Sequence, residues 1–186
     1  MDITIFKDKL INKRNIILFA IIIILIIIAL VMFFILKNRE KEKLMPVEFS
    51  SEDSSIFVSV ANEYEFSTVS DDSYKLVLKS ATTGSSIYFS EVSNANVRDT
   101  LKFIEADKND YISKFSNISQ VSDVSETTIN GLTAYTYNFH YKDTMLVDVY
   151  WIVKDSKFIV IDFNIDTTNL DLSSHIDEIL NSLKIN

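Results

Sequence analysis

The chain has 186 residues, with 18 Lys and Arg against 26 Asp and Glu, a net charge of −8, and no cysteine. Without cysteine there is no disulfide framework, no thiolate metal site and no residue to carry a lipoprotein's lipid. The acidic balance argues against nucleic acid as a partner, because phosphates would be repelled.

Charge is segregated along the chain. Residues 1–43 hold eight of the basic residues and four of the acidic ones, a net of +4, which leaves −12 for the rest. Residues 1–14 read as a short basic tail in which Ile3, Phe6 and Leu10 have helical spacing. Residues 15–36 then read as a transmembrane helix. Its apolar run, Ile16 to Leu36, contains no charge, Gly or Pro. A helix of that length spans about 31 Å, which matches a hydrocarbon core of about 30 Å. The run exceeds the apolar region of a secretory leader, and no small-residue cleavage pattern follows it, so an uncleaved anchor is expected. Ala20 and Ala29 are nine residues apart and give no helix-pairing motif. No ionisable residue lies inside the run to carry protons or substrates.

Four basic residues precede the run (Lys7, Lys9, Lys13, Arg14) and four follow it (Lys37, Arg39, Lys41, Lys43), so their balance does not fix the orientation. A long domain translocates largely regardless of its charge. The expected location is therefore the cell membrane, single-pass, with the N-terminus cytoplasmic and the C-terminal domain outside. A cytosolic domain is the alternative.

Residues 37–45 read as a charged helical stalk with opposite charges three apart, ended by Pro46. Residues 46–186 read as one acidic domain, long enough for an ordinary core. Ile56 to Val60 is a predicted strand. Tyr74 to Lys79 and Ser86 to Phe89 flank Thr82-Thr83-Gly84-Ser85 as a hairpin. Val97, Leu101, Ile104, Tyr111 or Ile112, and Phe115 follow a helical period, which predicts a helix over about 95–116 with an interruption near Asp107. Ser125 to Ile129, the Asn130-Gly131 turn, and Leu132 to Tyr141 form the clearest hairpin. Met145 to Val153 and Phe158 to Ile165 are further strands. The last is apolar on both faces except at Asp162 and Asn164, as expected of a covered central strand. A closing helix is predicted from near Asp171. Ser174 and Asp177 stand at capping-box spacing, and Leu172, Ile176, Ile179, Leu180 and Leu183 form its apolar stripe. The order of strands, helix, strands and helix gives an α+β domain: a mostly antiparallel sheet packed with two helices behind the membrane helix.

The segments "INGLTAYTYNFHY", "MLVDVYWIVKD", "FIVIDFNID" and "HIDEILNSLKI" resemble the PsbP-like superfamily over about residues 50–185. The resemblance implies that fold and a binding or assembly role. The family has no common catalytic residues to carry over, and fold alone does not give function.

Motifs of chemistry are sparse. His140 and His175 are the only histidines, without the spacing of a hydrolytic triad or a zinc site, and read as structural or surface residues. Asp107-Lys108-Asn109-Asp110 starts like a calcium loop. That loop needs Gly and Glu where Ile112 and Ile118 stand, so a solvated helix kink is the plainer reading. No catalytic residue, cofactor or metal site is expected. The row Tyr135, Tyr137, Phe139 and Tyr141 shares one strand face. It is ordinary core if a helix covers it, and a Tyr-rich partner surface if none does.

The expected function is thus a single-pass membrane-anchored, extracytoplasmic, non-enzymatic binding or assembly module. It contacts the bilayer through residues 16–36 and a protein partner through its domain, with no nucleic acid. The composition, rich in Ile, Asn, Lys and Asp, suits an AT-rich bacterial genome. The alternatives are a membrane-tethered hydrolase and a membrane-spanning sensor. Two close carboxylates of perturbed pKa in a polar pocket would favour the hydrolase.

Overall fold

The computed structural model describes residues 21–33, 46–68, 73–80, 82–94, 97–168 and 175–186. The chain divides into two compact units, Met1–Met45 and Pro46–Asn186.

In the first unit, residues 21–33 form a helix, α1. Every described residue of it is exposed, with the large side chains between 44% and 61% accessible. At 1.5 Å per residue this stretch spans about 20 Å. Among the described residues no helix is long and apolar enough to cross a membrane. The ends of the predicted span, the basic tail and the stalk lie outside the described residues.

The second unit is built on a large antiparallel sheet. Its strands are β3 (Tyr64–Phe66), β4 (Tyr74–Ser80), β5 (Ser86–Ser93), β6 (Ile118–Ser119), β7 (Ser125–Ile129), β8 (Leu132–Tyr141), β9 (Met145–Lys154) and β10 (Lys157–Asp166). They lie in the order β3-β4-β5-β10-β9-β8. Beyond β8, β7 pairs with its first half and β6 with its last two residues. A second sheet is formed by β1 (Pro46–Ser50), β2 (Ile56–Ala61) and β11 (Lys184–Ile185), in the order β1-β2-β11. Two helices complete the unit, α2 (Thr100–Ser113) and α3 (Ile176–Ser182).

Strand β10 lies between β5 and β9, the covered central position its apolar pattern predicts. Its alternate residues feed two cores. Ile159, Ile161, Phe163 and Ile165 pack with Ile56, Val58 and Val60 of β2 and with Ile176, Ile179 and Leu180 of α3. Phe158 and Val160 face the other way and pack with Trp151, Phe139, Tyr137 and Ile104 of α2. The sheet is therefore a middle layer, with the small sheet and α3 on one side and α2 on the other.

The Asn130-Gly131 turn takes the predicted form, with φ of 51° and 80° at the two central residues. Both values are positive, as a type I′ turn requires. Asn130 has a second task invisible in the sequence. Its Nδ2 donates to the carbonyls of Leu180 (3.0 Å) and Leu183 (2.9 Å) at the end of α3, where the Leu183 amide also donates to the Leu180 carbonyl at 3.2 Å. Ser182 adds a tether: its Oγ accepts from the Ser59 amide of β2 at 2.9 Å.

Several expectations are corrected. The helix predicted over 95–116 runs over Thr100–Ser113, because Asp99 caps it by accepting from the Lys102 amide at 3.2 Å. It continues through Asp107 without interruption. Asn117, at φ 60°, then reverses the chain into β6. The short strands β1, β3, β6 and β11 went unpredicted, since two to five residues carry too little periodicity. The proposed capping box at Ser174 lies outside the described residues, as do Asp171 and Leu172. The described helix starts at Ile176, where His175 supplies no side-chain cap.

A candidate binding cleft beside the mid-chain helix

The aromatic row on β8 lies on the side covered by α2. Tyr137 and Phe139 are buried there. Phe115, just past the helix, packs on Phe139 and Tyr141 with ring centroids 5.6 and 5.1 Å apart, and Tyr111 meets Phe139 at 6.0 Å. Tyr137 and Phe139 are thus core, because the helix covers them. Tyr135 and Tyr141 stay half-exposed.

Beyond these rings, half-buried polar groups lie along the edge of α2. Opposite residues in antiparallel strands point to the same face. Tyr137 pairs with Val149, Val149 with Asp162, and Asp162 with Tyr88, so these four form one row across β8, β9, β10 and β5. Asp107 and Tyr111 are four residues apart on α2 and share the helix face above it. Tyr74 of β4 closes the far side, its ring 5.1 Å from that of Tyr88 and tilted by 51°. Asp162, Tyr74, Tyr88 and Tyr111 are half-buried and Asp107 is exposed, so the cleft reaches solvent.

Its electrostatics follow from that placement. Burial pushes the Asp162 carboxyl up to about 7; the charge of Asp107 adds to the rise, and the Tyr111 hydroxyl works against it. Burial also raises Asp107, opposed by Lys114 and reinforced by Asp110. Tyr111 and Tyr137 are raised too, by burial first and by Asp162 next. Asp162, Tyr74, Tyr137 and Tyr88 also act on Tyr111, after burial. Among the described residues no cation pairs with Asp162 or Asp107. Lys108 donates to the Ser122 carbonyl at 2.5 Å and holds its Nζ 5.9 Å from the centre of the Tyr137 ring, and Lys114, just past α2, pairs with Asp110 at 2.9 Å.

Sequence reasoning flagged Asp162 only as a polar break in an apolar strand and Asp107 only as part of a loop-like tetrad. The signal that could have joined them was Asp162 itself, a lone carboxylate on a strand covered on both sides. The partner across the cleft depends on tertiary packing.

Other polar groups are less open to a ligand. On the opposite face, burial raises Asp148 to about 6, but its oxygens are engaged by the Tyr150 hydroxyl (3.1 Å) and Thr136 Oγ1 (3.5 Å). His175 Nδ1 lies 3.0 Å from Glu178 Oε2, and His140 sits half-buried on β8. Among the described residues no group of three or more His, Asp or Glu could hold a metal ion. A cavity of about 240 Å³ lies by the β7–β8 turn, walled by Ile129, Leu132, Ile152 and Leu183, with Lys154 among its lining.

No protein-family model matches the chain. No curated protein matches it in sequence. Solved structures do match. The PsbP protein of the cyanobacterium Synechocystis is similar with a TM-score of 0.56 at 14% identity, covering 76% of this chain and 92% of that one. The Ran-binding protein Mog1p of Saccharomyces cerevisiae is similar with a TM-score of 0.51 at 12% identity, covering 76% and 96%. A protein of unknown function from Pseudomonas aeruginosa is similar with a TM-score of 0.50 at 6% identity, covering 76% and 97%. At such identities the likeness shows the fold, which is PsbP-like, and nothing of the activity.

Proposed function

We propose that this chain is a single-pass membrane-anchored, extracytoplasmic, non-enzymatic module whose acidic domain binds a protein partner. The supporting observation is α1, apolar and exposed on all sides within a longer run of uncharged residues. A helix apolar all round is stable only when buried, and the run is long enough for a bilayer to bury it. That an extant protein of this fold is Ran-binding by name supports a protein partner.

Carbonate washing of membranes tests the anchor. The chain stays in the pellet if the run spans lipid, and release into the supernatant overturns that. Protease treatment of intact cells tests the orientation, with loss of the domain expected. Crosslinking in membranes followed by capture of the chain tests for a partner, and repeated recovery of the chain alone counts against a binding role.

A membrane-tethered hydrolase is the second reading, favoured by one observation: burial raises the carboxyls of Asp107 and Asp162, and the charge of Asp107 acts on Asp162. Hydrolysis of a model ester or peptide by the full chain, lost in Asp162→Asn, would establish it.

A further inference from the structure

We propose that Asn130 is a modification site: spontaneous deamidation at Asn130-Gly131 turns it into aspartate or isoaspartate and frees the end of α3, with β11, from the large sheet.

The first argument is local. The chain has two glycines, and only Gly131 follows an asparagine. Deamidation begins when the backbone nitrogen after an asparagine attacks the side-chain carbonyl carbon, and a glycine there puts no Cβ in the way. The turn is also open. Asn130 is exposed, and a Cβ built on Gly131 would meet nothing within 4 Å. Water is the one co-reactant. The Gly131 nitrogen bonds to Cγ of Asn130, the Cγ–Nδ2 bond breaks, and ammonia leaves with the former Gly131 amide proton. Water then opens the cyclic imide. Breaking the bond from nitrogen to Cγ gives aspartate, and breaking the bond to the main-chain carbon gives isoaspartate.

The second argument is what the carboxamide holds. Its Nδ2 donates to the Leu180 and Leu183 carbonyls at 3.0 and 2.9 Å, which joins the end of α3 to the β7–β8 turn. Other polar ties of this segment run to the small sheet and the loop within it. Ser182 Oγ bonds the Ser59 main chain at 2.9 and 3.3 Å, and Asn186 donates to the Ser54 and Ser55 carbonyls at 3.1 and 2.9 Å. A carboxylate has no proton to donate. After deamidation it faces two carbonyl oxygens, so both bonds are lost and repulsion replaces them. Isoaspartate also adds a main-chain carbon to a two-residue turn whose geometry sets the strand register. Buried Leu183 and half-buried Ile185 line the cavity of about 240 Å³ together with Asn130. Release of this end uncovers them and leaves β2 with an open edge at Ile56 and Phe57, where β11 had paired.

The third argument is that the contact guards itself. While Nδ2 bridges two carbonyls, the side chain is not free to swing onto the Gly131 nitrogen. The reaction therefore proceeds when the end of α3 lifts, a local opening, and its product opposes return. The turn becomes a one-way record of that opening.

Incubation of the full chain in lipid nanodiscs, in warm and mildly alkaline buffer beside the denatured chain, tests this by peptide mass mapping over time. Amide-to-acid conversion at Asn130 ahead of every other asparagine is expected, more slowly than in the denatured chain. Ser182→Ala, which loosens α3 without touching the turn, should speed it severalfold. Asn130→Asp stands for the product. Amides of α3 and β11 should exchange hydrogen about tenfold faster or more in this variant, with α2 unchanged. The loss should exceed that in Asn130→Gly, which abandons the carbonyls without repelling them. It should shrink in acid, where a protonated carboxyl regains a donor.

An intact amide at Asn130 after several times the period that converts the denatured chain would overturn the proposal, as would earlier conversion of another asparagine. Wild-type protection of α3 in Asn130→Asp would overturn the release. An unchanged rate in Ser182→Ala, with exchange in α3 measurably faster, would overturn the gating.

Discussion

The two faces of the large sheet solve the same problem differently. One face is closed by a second sheet and a helix, and its core is mostly aliphatic around Phe89, Phe163 and Tyr64: Ile56, Val58, Leu76, Leu78, Ile87, Ile159, Ile161 and Ile179 are at most 4% exposed. The other is closed by one fourteen-residue helix, and its core is aromatic. Phe103 packs on Trp151 and Phe158 with centroids 5.9 and 5.8 Å away, and Trp151 meets Phe158 at 5.5 Å. A single helix is about 10 Å wide and strands are spaced by about 4.8 Å, so it cannot roof an eight-stranded sheet. Large rings extend its cover over β8 and β9. Where they run out, over β10, β5 and β4, Asp162 and the tyrosines meet water. Uneven covering thus leaves half-buried polar groups on one face and a closed core on the other.

Truncating the closed face should break the contrast most severely. Phe163→Ala, fully buried and edge-on to the Tyr150 ring, should cost about 3–5 kcal/mol in denaturant unfolding. The open face should respond with the opposite sign at Asp162. Its pKa is raised on folding, so its contribution to stability is complete below about 4 and is lost as pH rises through about 7. Asp162→Asn should therefore stabilise the domain at about pH 8 by a few kcal/mol and flatten the decline between about pH 4 and 7. An unchanged slope would mean that Asp162 titrates like an exposed carboxylate. Asp148, raised to about 6 on the closed face, should add a smaller decline of the same sign.

Asn130→Gly sharpens the comparison at the closed face alone. Glycine keeps the positive φ of the turn but abandons the Leu180 and Leu183 carbonyls, at a cost of about 1–3 kcal/mol. Protection from hydrogen exchange should fall in α3 and stay unchanged in α2. The smallest effect belongs to the margin of the aromatic row. Tyr141→Ala should cost about 1 kcal/mol, against about 3–5 for Phe139→Ala two residues earlier, because only Phe139 lies fully under the helix.

Much of this architecture was legible from local pattern. Alternation in Leu132–Tyr141 and Met145–Lys154, the Asn-Gly turn and the two-sided apolar run of β10 each carry their meaning within about ten residues. The short strands were not, since β1 and β11 exist only because β2 offers both its edges to segments far apart in sequence. The row from Tyr135 to Tyr141 was legible as a face, but whether that face met helix, partner or water was not. Phe115 and Tyr111 decide it by landing on Phe139.

By itself, then, the sequence determined the elements, the acidic charge of the domain and the apolar run before it, because periodicity, charge and hydropathy are properties of neighbours along the chain. Only the tertiary structure brought Asp107 near enough for its charge to act on Asp162, fifty-five residues later in the chain. A cleft is a shortage of covering, and which positions are left uncovered is settled by how far one helix reaches across a sheet.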